Sequence, residues 1–95
     1  MFFAIHCIDK PGVAAKRADA MPKHVAYLDK APIKNLMSGP LTSDDGTSII
    51  GSLYVVEAEN RQQIDTFLQN DPLVQADVWQ SINIHAFNKR VDNRD

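Results

Sequence analysis

The residues able to do acid–base chemistry in this chain stand singly, and each has a structural reading beside its chemical one. His24 lies in "PKHVAYL", residues 22 to 28, where the proline marks the start of a helix. That boundary makes it the third residue of its helix. The partial positive charge there disfavours an imidazolium and keeps the ring neutral, ready to accept a proton near pH 7. His24 also shares a face with Tyr27, Leu28 and Ala31, and a buried histidine held by one hydrogen bond fits that pattern equally well. Asp71 precedes Pro72 in "NDPL". It suits the N-cap of a short helical turn, and it suits a carboxylate that orients an imidazole by accepting its N–H. Nothing in the spacing alone joins 24 to 71.

Arg17 stands in the segment "VAAKRADA", and Asp9 ends the first apolar run. A surface ion pair of little energetic consequence is one reading of these two. The other is an arginine held by Asp9 and aimed at a developing oxyanion. Ser52 shares a strand parity with Ile50, Tyr54 and Val56, and a hydroxyl among apolar neighbours needs a partner, which the backbone can supply. Three histidines invite a metal, but His6, His24 and His85 fall in separate elements without local ligand spacing, so no metal is expected. His6 and His85 read as ordinary residues of neighbouring strands. Cys7, the single cysteine, cannot form an internal disulfide, and its apolar run suits a small buried hydrophobe better than a nucleophile. The four glycines assemble neither a phosphate-binding loop nor a nucleophile elbow, so no nucleotide cofactor is expected.

Composition bounds what could position these groups. Ninety-five residues make one domain that buries about 60–65% of its unfolded surface, which leaves little room for a deep pocket within one subunit. The net charge of −2 is dispersed and provides no footprint for nucleic acid or an anionic membrane. No window approaches the ~20 apolar residues of a membrane span, and the first ten residues lack the basic start of a signal peptide. A cytoplasmic protein is expected.

Strands are expected at "FFAIHCI", at "IKNLMSGPL" and at "IIGSLYVVEA", with "TSDDGTS" as the hairpin loop between the second and third. Pro22 would clash with the carbonyl of Ala18 inside a continuous helix, so the reading places a weak helical segment at 13–20 and a new helix at about 22–31. "ENRQQIDTFLQN" reads as a helix capped by Asn60 that buries Ile64, Phe67 and Leu68, and "VWQSINIHAF" as the last strand. The order β-α-β-β-α-β is the ferredoxin-like arrangement of the α+β class, over residues 1–88 with a polar tail at 89–95. Strands one and three carry apolar residues on both parities, so the face away from the helices needs a cover, and a second copy in a homodimer is the simplest one.

With those residues in place, the chain resembles the YCII-like (YciI-related) superfamily of small dimeric α/β-barrel proteins. The matching motifs are "DKPG", Arg17, "HVAYL", "SGPL", "DDG", "GSLYVVEA" and "NDPL", in that order. The resemblance implies a ferredoxin-like dimer with a His–Asp dyad, here His24 and Asp71, and Pro72 shaping the turn that presents Asp71. By similarity to a member that removes chloride from a chlorinated hydroxyhydroquinone, Arg17 and Ser52 would form an oxyanion site and Asp9 would orient Arg17. The implied activity is a cofactor-independent, dehydrochlorinase-like elimination on a small hydroxylated ring. Isomerisation of a lactone or keto–enol substrate, and a non-catalytic dimer that binds a metabolite, are the alternatives.

Overall fold

The computed structural model describes residues 1–94. Its elements follow the order β1 (Phe2–Asp9), α1 (Ala14–Lys30), β2 (Lys34–Thr42), β3 (Ile49–Glu57), α2 (Arg61–Gln69), α3 (Pro72–Gln75) and β4 (Trp79–Phe87). The strands form one antiparallel sheet in the order β2-β3-β1-β4, the α+β topology the sequence pattern predicts. Residues 88–94 form no helix or strand, and the final residue of the expected tail lies outside the described residues. Among the described residues no helix is long and apolar enough to cross a membrane.

Period-two alternation fixes the two faces of the sheet. Phe3, Ile5 and Cys7 of β1 lie inward against Val56, Tyr54 and Ser52 of β3, and all six are buried under the helices. Ile64, Phe67 and Leu68 of α2 and Leu73 of α3 close that core. The opposite face carries Phe2, Ala4, His6 and Ile8 of β1 beside Leu53 and Val55 of β3. These are half-buried or exposed, and among the described residues no helix covers them. His6 and His85 stand exposed on this face of neighbouring strands, and the described residues contain no cluster of three or more metal-ligating side chains.

The expected break before Pro22 does not occur. One helix of 17 residues runs from Ala14 to Lys30 with Pro22 inside it. An interior proline removes a hydrogen bond and crowds the preceding turn at a cost of about 3 kcal/mol. Here Ala18 and Pro22 are both exposed, so the unpaired carbonyl of Ala18 faces water instead of the core. The buried face is anchored on both sides of the proline, by Arg17 to Asp9 of β1 and by His24 to Asp71 at the start of α3, and this offsets the lost bond. Proline removes a ladder hydrogen bond and is tolerated at a bulge, an edge or a strand end, and Pro40 meets that condition. It lies in β2, which is an edge strand with irregularities at Asn35/Met37 and Leu41/Thr42.

Gly51 sets how closely β1 and β3 approach. A Cβ at this position would fall 2.1 Å from the carbonyl oxygen of Cys7, so only glycine permits the pairing seen there. That close register brings Ser52 opposite Cys7 on the inward face, below the first turns of α1. On the other side of β1, Asp9 pairs with Trp79 across a break in register at Ile8/Asp9.

Candidate active site

The inward face of α1 presents Arg17 and His24 seven positions apart, two turns along the same stripe. Each meets a carboxylate from a different element, and the sheet carries a further partner for each. The result is two adjoining polar clusters in a largely apolar interior.

In the first cluster, His24 Nδ1 lies 2.8 Å from Asp71 Oδ1. An ionised carboxylate only accepts, so Nδ1 carries the hydrogen and Nε2 carries the lone pair. Asp71 Oδ1 also accepts from the backbone N–H of Leu73 at 2.9 Å, closing the N-terminal turn of α3. The two roles considered for Asp71, helix cap and imidazole orienter, are therefore held by one oxygen atom. Pro72 occupies the first helical position, where its missing N–H costs nothing and its fixed φ sets the turn. Asp71 Oδ2 accepts from the Tyr54 hydroxyl at 3.0 Å. Asp71 is fully buried, and three donors compensate its desolvation.

His24 sits mid-helix, so the charge of the helix N-terminus does not set its state as expected from the sequence. The tautomer comes instead from Asp71. The ring is 7% exposed, and its edge meets the Tyr54 ring at a centroid separation of 6.1 Å.

In the second cluster, Arg17 Nη1 donates to Asp9 at 2.9 Å (Oδ1) and 3.2 Å (Oδ2), while Nη2 donates to Ser52 Oγ at 2.6 Å and to the Gly51 carbonyl at 3.1 Å. The Arg17 and Asp9 side chains are only 4% and 7% exposed, which removes the surface-pair reading. Burial pushes the Asp9 carboxyl above its ordinary range, while the Arg17 guanidinium and the Trp79 indole N–H draw it back. That indole N–H makes no hydrogen bond of good geometry. Ser52 finds its partner in a guanidinium, not the backbone. Because its oxygen accepts from Arg17, its own O–H remains free to donate.

A cleft of about 720 Å³ opens beside this second cluster, lined by Asp9, Val13, Arg17, Met21, Ile50 and Gln80 among others. Its walls are mostly aliphatic, as expected for a site that takes a small organic ring. Met21 stands between Arg17 and His24 on the helix surface, four residues from one and three from the other. Ser52, His24 and Asp71 do not line the cleft. Cys7 lies between the clusters. Burial above all, then the charges of Asp71 and Asp9, push its thiol up to about 12, so it stays protonated and inert.

The structure thus brings together all six residues singled out in the sequence, as two sets: His24, Asp71 and Pro72 in one, Arg17, Asp9 and Ser52 in the other. Sequence reasoning missed Tyr54, Met21 and the Gly51 carbonyl. Tyr54 had left a signal, because its parity with Ser52 placed it inward and a buried phenol needs a partner for its O–H. Nothing in the sequence marked the other two.

A small ferredoxin-like protein with a buried His–Asp pair and an arginine-floored cleft is a recognisable class. The chain belongs to the family of the YCII-related domain, which matches residues 1–88. It is 27% identical over 96 residues to Protein YciI of Escherichia coli O6:H1, covering 94% of this chain and 98% of that one. An uncharacterised protein of Haemophilus influenzae matches to the same extent. Among solved structures it is similar to 5-chloro-2-hydroxyhydroquinone dehydrochlorinase (TftG) of Burkholderia phenoliruptrix AC1100, in complex with 2,5-dihydroxybenzoquinone. The TM-score is 0.83, with 29% identity over 93% of this chain and 94% of that one. A conserved protein of Methanosarcina mazei Go1 shares the fold at a TM-score of 0.60 and 12% identity.

Proposed function

We propose that this protein is a cofactor-independent lyase that eliminates a leaving group from a small hydroxylated ring, with His24 as general base. The single observation that carries the reading is that one buried face of α1 presents both His24, oriented by Asp71, and Arg17, bonded to Ser52 of β3 beside an apolar cleft. Likeness to a dehydrochlorinase over most of both chains supports the reaction class.

For a chlorinated hydroxyhydroquinone, His24 Nε2 takes the proton of a ring hydroxyl. The oxygen charge that develops is met by the free Ser52 O–H, which Arg17 polarises from behind, while Asp9 keeps Arg17 in place. The electron pair moves through the ring and a proton returns to the chlorine-bearing carbon, giving a keto tautomer with chlorine on a saturated carbon. A second ring hydroxyl then gives up its proton, and its electrons form the other quinoid carbonyl and a ring double bond. Chloride leaves with the electrons of the C–Cl bond. Proton and chloride together account for HCl, so the step needs no electron acceptor. A positioned base contributes about 10²–10⁴-fold and an oxyanion donor about 10²–10³-fold. The same groups suit lactone or keto–enol isomerisation, which differs only in where the proton returns. We further propose a homodimer in which a second copy covers the apolar outer face of the sheet.

One observation favours a second reading, a metabolite-binding dimer without turnover: His24 does not line the cleft. Chloride release and ultraviolet spectra across a panel of chlorinated quinols, phenols and lactones separate the two. The lyase reading expects turnover of at least one hydroxylated ring that His24→Ala abolishes. Binding without turnover across the panel contradicts it.

A further inference from the structure

The sequence offers a helix terminus to keep His24 in its proton-accepting form, and the structure removes that device by placing the residue mid-helix. Tyr54 is the group that stands in its place. Its hydroxyl reaches the oxygen of Asp71 that His24 does not use, at 3.0 Å, from a strand on the opposite side of the pair. It is 1% exposed and is held rigidly, edge-on to His24, Phe67 and Trp79. Burial, and then the charge of Asp71, hold its phenol far above the ordinary range, so it is a permanent donor.

We propose that Tyr54 is a positioning residue of the dyad, fixing the Asp71 carboxylate and sharing its charge so that Asp71 holds the His24 ring in one tautomer and orientation. This rests on His24 acting as the base. Each donor to a carboxylate shares its negative charge and weakens its pull on the imidazole proton. With Leu73 N–H and His24 on Oδ1, only Tyr54 serves Oδ2. Without it Oδ2 is buried and bare, free to rotate, and Oδ1 draws harder on the His24 Nδ1–H. The other titratable or charged groups around this carboxylate and its partners are Arg17 and Tyr27 of α1 and Cys7 and Asp9 of β1. Arg17 is committed to Asp9 and Ser52, Tyr27 donates to the Phe67 carbonyl, and the Cys7 thiol stays protonated. None of them substitutes for the Tyr54 donor.

The test is Tyr54→Phe, which keeps the ring and its packing and deletes one O–H. Two readouts are taken on the intact protein: the proton NMR signal of the His24 Nδ1–H, and the pH dependence of kcat/KM on whichever quinol proves to be turned over. The proposal expects the Nδ1–H signal to move downfield and the acid limb of the pH profile to rise by about one pH unit, near tenfold in rate on that limb. An Nδ1–H signal and an acid limb both unmoved in a folded variant overturn it, since a packing role disturbs neither. Should Tyr54→Phe fail to fold, Tyr54→Leu, which is smaller and also lacks the donor, is read by the same NMR signal, and a signal equal to that of the wild type overturns it as well. The NMR arm needs no turnover: a shifted signal in a protein that turns over nothing sustains the positioning role and removes the lyase reading.

Discussion

The two clusters on the inner face of α1 use the same chemistry to opposite ends. Around His24, a carboxylate with three donors holds one imidazole nitrogen and leaves the other free. Around Arg17, a guanidinium is consumed by its partners: Asp9, Ser52 and the Gly51 carbonyl take its terminal nitrogens, and its Nε is buried without a partner. The first cluster leaves one acceptor available for reaction. The second leaves two donors, the Ser52 O–H and the Arg17 Nε–H, and otherwise binds strand to helix. The cleft adjoins the second cluster and not the first, which in the proposed mechanism divides recognition from proton transfer. Damage at the Arg17 cluster should therefore appear as lost stability together with lost rate, and damage at the His24 cluster as lost rate with little loss of stability.

The largest stability effect is expected from Arg17→Met. It strands the Asp9 carboxylate in the interior and should cost about 3–5 kcal/mol in urea unfolding, since breaking one side of a buried pair leaves an uncompensated charge. A loss below about 1 kcal/mol would return the pair to the surface-like class and dissolve the contrast. Gly51→Ala comes next. The new methyl would meet the Cys7 carbonyl at 2.1 Å, and moving β3 to accommodate it should cost about 1–3 kcal/mol while pulling the Gly51 carbonyl and Ser52 from Arg17.

The last effect builds only in alkali and is a pH dependence from Cys7. Its thiol is raised from 9.0 to about 12 in the folded protein, so the unfolded chain gives up that proton first. The stabilisation is complete below pH 9 and is lost as pH rises toward 12, by up to about 1.4 kcal/mol per pH unit. Wild type should lose stability to alkali faster than Cys7→Ala between those limits, in denaturant titrations at matched pH. Parallel curves would mean that Cys7 is not shielded between the clusters.

The limits of the sequence reading fall along the same division. Strand parity exposed the inward stripe Ser52, Tyr54 and Val56, and turn chemistry located Asp71 at a cap, because both follow from local rules. The break proposed at Pro22 failed because a local cost of about 3 kcal/mol was set against tertiary anchoring that no local rule contains. The same error misplaced the source of control over His24, from helix end to Asp71. The pairing of residues 24 and 71 came from family resemblance, and Tyr54 was visible as a buried phenol without an assignable partner. Met21 and the Gly51 carbonyl became legible only once β3 lay beneath α1.

The central claim is that His24 supplies rate and little stability, while the Arg17 cluster supplies structure along with the proposed oxyanion donor. It is tested most directly by measuring kcat and unfolding free energy together for His24→Ala. The account predicts a fall in kcat of about 10²–10⁴-fold, with about 1 kcal/mol or less lost in stability, because Leu73 and Tyr54 still serve Asp71. Unchanged turnover of a confirmed substrate, or a stability loss matching that of Arg17→Met with kcat intact, would contradict it.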